Sequence, residues 1–169
     1  SSQFADAVPV LRWLCLGMLL RVMAWPLGFL ILAKGKQQMF FWTEVAATVV
    51  HVGLAYLLIN TFGIAGAGIA FVGLYLWHGA MINILVRPLT GFGWARENLV
   101  LAALFFVLTG MTLIAAEFLE PMPALVFGLG VTAIASWFSL TQLVRIIPEK
   151  WVPRGVRPLV YRLLRYRPA

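Results

Sequence analysis

The chain has 169 residues, 62% of them apolar and only 11% charged, with a formal net charge of +7. Soluble domains carry about 25% charged residues, so this composition, with a mean hydropathy of +0.93, excludes an ordinary soluble domain and points to a polytopic membrane protein facing lipid. The one cysteine, Cys15, excludes an internal disulfide and a Cys-x-x-Cys metal spacing, and is expected to be a packing residue in an apolar run.

The chain starts at Ser1 with neither a methionine nor a charged, cleavable leader, so a longer protein is expected. A helix crossing hydrocarbon needs about 20 apolar residues. Five segments qualify: 9–33, 38–61, 64–86, 98–117 and 122–146. Gly35, Gly63 and Gly91 are expected in turns, and Pro88, Pro121 and Pro148 follow or separate spans. No strand alternation runs far enough for a β-barrel. The fold class is therefore all-α, a polytopic transmembrane helical bundle of five spans.

Charge orients the bundle. Lys34 and Lys36 follow span one, Arg87 and Arg96 follow span three, and Arg145 and six further cations follow span five. The turns after spans two and four hold no cation, and the latter carries Glu117 and Glu120. The positive-inside rule places the basic turns and the C-terminus in the cytoplasm, with Asp6 outside. All but Arg12 and Arg21 of the 13 Lys and Arg fall on that side. The net charge is thus a topology signal and gives no reason to expect a nucleic-acid partner. The tail, 148–169, mixes Leu159, Leu163 and Leu164 with Arg157, Arg162 and Arg165, a composition suited to a short helix lying on anionic lipid.

Polar residues inside the spans are the functional candidates, because a charge at bilayer depth costs roughly 2.5–3.5 kcal/mol or more. Arg21 lies 12 residues before Ala33, about 18 Å deep at 1.5 Å per residue. It either forms a structural salt bridge or faces a cavity. Arg12 is near the outer end and can snorkel. On span two, Glu44, Thr48, His51 and Ala55 recur at i, i+4, i+7 and i+11, a stripe polar at three of four positions. Val45, Val49 and Leu57 lie opposite. Glu44 and His51 could carry a proton, line a cavity, or pair with Arg21 or another helix. Tyr75, His78 and Asn83 lie on span three, where His78 is either a helix-to-helix hydrogen bonder or a functional group. Gly63, Gly66, Ala67, Gly68, Ala70, Gly73 and Gly79 give small-xxx-small spacing for close helix packing. Pro26 with Gly28 is expected to interrupt span one. Spans four and five have apolar interiors with only scattered Ser and Thr, and are expected at the periphery.

No paired-carboxylate, nucleophile–base or phosphate-loop spacing occurs, and Gly66-x-Gly68 lacks the preceding strand of a dinucleotide loop. The expectation is a transporter, not an enzyme, with no cofactor and no metal site.

The runs Ser2-Gln3-Phe4-Ala5-Asp6-Ala7, Leu11-Arg12-Trp13, Pro26-Leu27-Gly28 and Ala33-Lys34-Gly35-Lys36, with Glu44 and Phe62-Gly63-Ile64-Ala65-Gly66-Ala67-Gly68-Ile69-Ala70, resemble the C-terminal part of polysaccharide flippases. These belong to the multidrug/oligosaccharidyl-lipid/polysaccharide exporter superfamily, and the nearest branch is the O-antigen translocases. The resemblance covers about the first 90 residues. It implies a MATE-like fold of two six-helix lobes, with residues 1–92 as helices ten to twelve of the C-terminal lobe. Residues 93–147 would be an extra helix pair and 148–169 a basic cytoplasmic tail. It implies alternating-access movement of undecaprenyl-pyrophosphate-linked oligosaccharide across the bacterial inner membrane, with membrane lipids and glycan polymerase or assembly proteins as neighbours. The family's cavity is generally cationic. Arg21, His51 and Arg12 would then bind substrate, and Glu44, Thr48 and His78 would line the cavity or couple an ion. Rival expectations are a drug or cation antiporter of the same superfamily, a small accessory subunit, and an enzyme on prenyl phosphates.

Overall fold

The computed structural model describes residues 7–146 and Gly155. The expectations for Asp6, Pro148 and the basic tail lie outside the described residues. Every regular element within them is an α-helix: α1 (Ala7–Ala33), α2 (Gln37–Phe62), α3 (Ala65–Thr90), α4 (Arg96–Phe118) and α5 (Pro121–Ile146). All five are long and apolar enough to cross a membrane. The chain divides into two compact units, Ser1–Leu113 and Ile114–Ala169, with the boundary inside α4.

The first unit is built on α1, α2 and α3. Gly35, Gly63 and Gly91 have φ of 70°, 62° and 69°, a left-handed conformation that glycine adopts without a Cβ clash. These residues end α1, α2 and α3. The third helix runs about one turn beyond the expected end at residue 86. Pro88 is accommodated in its last turn, and the Gly91 N–H donates to the Arg87 carbonyl at 2.9 Å. The Thr90 hydroxyl donates to the Val86 carbonyl and accepts from the Phe92 N–H, tying the helix end to the following loop. Pro26 likewise lies inside its helix, and α1 continues through it from Ala7 to Ala33.

α1 and α3 run side by side in the same direction. Gly68 meets Val10 and Trp13, Gly17 meets Phe71, and Gly79 meets Ala24, so paired residues stay about 55 positions apart along both helices. A methyl on Gly68 would lie 2.7 Å from the Trp13 Cβ and 2.8 Å from the Val10 carbonyl oxygen. Only glycine permits that approach, which is how small residues drive helix association in lipid. The small-residue stripe therefore packs helices, as its spacing predicts. Toward the Lys34 end the seam fills with Leu27, Ile31, Ile82 and Val86, the packed core. α2 folds back on α3, with Leu58 against Gly66 and Leu54 against Gly73. Cys15 is exposed on α1 and takes no part in the packing expected for it.

The second unit contains the end of α4 and α5. Pro121 begins α5, a position where proline loses no intrahelical bond. No residue in the most apolar stretch of α5 is buried.

Candidate functional site

Thr43 and Ala47 are the buried residues of α2. The Thr43 hydroxyl turns back to the Phe40 carbonyl at 2.6 Å, so it enters the interface already bonded. The polar stripe Glu44–Thr48–His51 sits one residue further round this contact line. It therefore borders the bundle seam and forms one wall of a pocket of about 260 Å³. Arg21 and Trp25 of α1 and Leu74, Tyr75 and His78 of α3 supply the other walls. Helices that are over half apolar thus bring two histidines, a carboxylate and a guanidinium into one recess.

Arg21 is held by aromatic rings. Its guanidinium carbon lies 5.2 Å from the Trp25 ring centroid and 5.9 Å from that of Tyr75. Ring quadrupoles attract a cation without neutralising it, so the positive charge of Arg21 is retained. The salt bridge weighed for Arg21 is absent among the described residues. The carboxylate has another partner: Glu44 Oε1 lies 4.0 Å from His78 Nε2. The Glu44 side chain is 52% exposed while His78 is only 6% exposed. His78 Nδ1 is buried with no hydrogen-bond partner. A buried, unsatisfied ring nitrogen costs about 1–3 kcal/mol.

Aromatic edges frame the pocket. The His51 ring meets Phe71 edge-on at 6.2 Å, Phe71 meets Tyr75 at 4.8 Å, and Tyr75 meets His78 at 6.2 Å. Phe71, Tyr75 and His78 follow i, i+4, i+7 on α3, so one helical face carries the ladder. The Thr48 hydroxyl donates to the Glu44 carbonyl at 2.9 Å and can offer the pocket only lone pairs.

The structure therefore brings together five of the six expected site residues: Arg21, Glu44, Thr48, His51 and His78. Arg12 stands apart, in a separate recess with Pro9, Trp13, Leu16 and Leu113. Glu44 pairs across helices with His78, and His51 meets Phe71 edge-on instead of pairing. Trp25 and Tyr75 were not expected as site residues. Their signals were present, since Trp25 follows Arg21 by four residues, one helical turn, and Tyr75 shares the face of His78. Among the described residues, no group of three His, Cys, Asp or Glu is placed to hold a metal ion.

Five membrane-length helices, with a polar pocket among the first three, are the features of a multi-pass membrane protein. No protein-family model, no curated protein and no solved structure matches the chain.

Proposed function

We propose that the chain is the C-terminal part of a flippase that moves undecaprenyl-pyrophosphate-linked oligosaccharide across the bacterial inner membrane by alternating access, with its C-terminus in the cytoplasm. The observation that carries this reading is Arg21: a midspan guanidinium, positioned by two aromatic rings, with no carboxylate partner among the described residues, and lining an open pocket. A diphosphate cannot cross hydrocarbon bare, because a charge in low dielectric needs a compensating charge and hydrogen bonds. Guanidinium supplies both, with a planar fork of donors that matches phosphate oxygens. The sequence resemblance to polysaccharide flippases supports the same reading, and so does the alternation of basic turns with turns that hold no cation.

In this mechanism Arg21 meets the diphosphate while Trp25 and Tyr75 hold the guanidinium in place. Glu44 is engaged by His78, which reduces its repulsion of the incoming anion. Thr48 and His51 extend the polar wall along α2. Arg12, in its own recess, is at most a contact for a remote part of the substrate.

A drug or cation antiporter of the same superfamily is the second reading, favoured by one observation, the half-exposed Glu44 carboxylate in the pocket. The two readings part on single substitutions in the full-length protein. The flippase reading expects Arg21→Ala to abolish surface glycan while Glu44→Gln retains part of it. Normal surface glycan in a correctly inserted Arg21→Ala protein overturns that reading. Loss of cation export in Glu44→Gln alone, with glycan unchanged in both variants, establishes the antiporter.

A further inference from the structure

We propose that this pocket takes up one proton together with its anion, and that His78 is the group that holds the proton. The inference rests on the reading of Arg21 as the anion contact and adds a coupling to it.

The pocket's formal charge leads to this. The titratable and charged groups facing it are Arg21 from α1, Glu44 and His51 from α2, and Tyr75 beside His78 on α3. With both imidazoles neutral, Arg21 and Glu44 cancel. A doubly charged anion beside Arg21 then leaves a net negative charge within the bundle, which low dielectric penalises. One proton from the aqueous side, added to the bare ring nitrogen of a neutral histidine, offsets half of it. The product is an imidazolium with an N–H on each ring nitrogen.

His78 is better placed than His51 to accept that proton. Its Nε2 already lies 4.0 Å from the Glu44 carboxylate, which stabilises the charged ring. Its Nδ1 is buried and has no hydrogen-bond partner among the described residues. The His51 ring is engaged edge-on with Phe71, and no carboxylate is within ion-pair distance of it among the described residues. Before the anion arrives, one Nδ1 polar group is unsatisfied. With the proton bound, Nε2–H faces Glu44. Linkage is reciprocal: if the anion promotes protonation of His78, protonation of His78 promotes anion binding by the same factor.

The experiment uses the full-length protein in lipid nanodiscs and methanedisulfonate as the probe. This dianion has the spacing of a diphosphate and does not titrate between pH 5 and pH 9, so any proton taken up belongs to the protein. Calorimetry in buffers of differing ionisation heat counts the protons. The expected wild-type result is an uptake approaching one proton per anion, with affinity falling by up to about tenfold per pH unit on the alkaline side of the transition. His78→Gln should still bind, more weakly, with no proton uptake and no pH slope, while His51→Asn should retain both. Glu44→Gln leaves the imidazole in place and guards against misfolding of the histidine variant. It removes the carboxylate that favours imidazolium, so its uptake should move to lower pH.

Wild-type binding without proton uptake overturns the inference and leaves the anion contact standing. Unchanged uptake in His78→Gln, or an unshifted pH range in Glu44→Gln, also overturns it. Wild-type affinity in Arg21→Ala, or no binding by the wild type, overturns the anion contact itself and with it the coupling.

Discussion

The α1–α3 bundle and α4 make different use of apolar sequence. α4 holds the most apolar stretch of the five helices and yet buries no residue. α1 and α3 are less apolar and bury Gly17, Ala24, Gly28, Gly68 and Ala70 along their seam. In water, apolar surface drives packing, but lipid tails are as apolar as leucine and leave that force without a gradient. Close backbone approach and polar pairing decide association instead. The bundle has both, since Gly68 lies against Val10 and Trp13 and Glu44 reaches across to His78. The pocket forms where this tight seam lets polar groups from three helices converge.

The comparison can be broken most forcefully at the glycines. Gly68→Leu would overfill the α1–α3 seam, and destabilisation of about 3 kcal/mol is expected, measured by unfolding the full-length protein in bicelles. Gly110 in α4 has nothing within 4 Å of a built Cβ, so Gly110→Leu should fall within about 0.5 kcal/mol of wild type. Equal effects at the two sites would remove the distinction between seam and lipid-facing helix.

The next effect is functional. Arg21→Ala should lower transport of lipid-linked glycan at least tenfold (about 1.4 kcal/mol), with little change in unfolding. Arg21→Lys should recover part of it, because lysine keeps the charge and loses the fork. A smaller effect is expected for Trp25→Leu, which removes one cation–π contact worth about 0.5–2 kcal/mol. Binding of methanedisulfonate should weaken several-fold, and unchanged binding would show that the ring does not position Arg21. The smallest belongs to Gly110→Ala, which should be neutral or slightly stabilising, since alanine favours a helix by up to about 1 kcal/mol over glycine.

How much of this was legible follows from the physics of each feature. The five spans were readable because length and apolarity are local properties, and the turn glycines because a positive φ favours one residue type. The end of α3 was placed a turn too early. Pro88 reads as a breaker, but the last turn tolerates it, and the Gly91 cap and Thr90 hydroxyl close the helix beyond it. The stripe on α2 was visible through its 3.6-residue period. Which groups meet across helices was not. A period fixes a face and leaves its partner open, so nothing local says that Glu44 faces His78 and that His51 meets Phe71 edge-on. The same gap put Arg12 with Arg21, although nine residues along a helix turn it to another recess.

The central claim is that Arg21 carries an anionic lipid-linked substrate across the membrane. The direct measurement reconstitutes the full-length protein in vesicles with undecaprenyl-pyrophosphate-linked oligosaccharide and follows its appearance in the opposite leaflet. The account predicts flipping by the wild type, near-complete loss in Arg21→Ala, and substantial retention in Arg12→Ala. Flipping by Arg21→Ala at the wild-type rate, or none by a folded wild type, would contradict it.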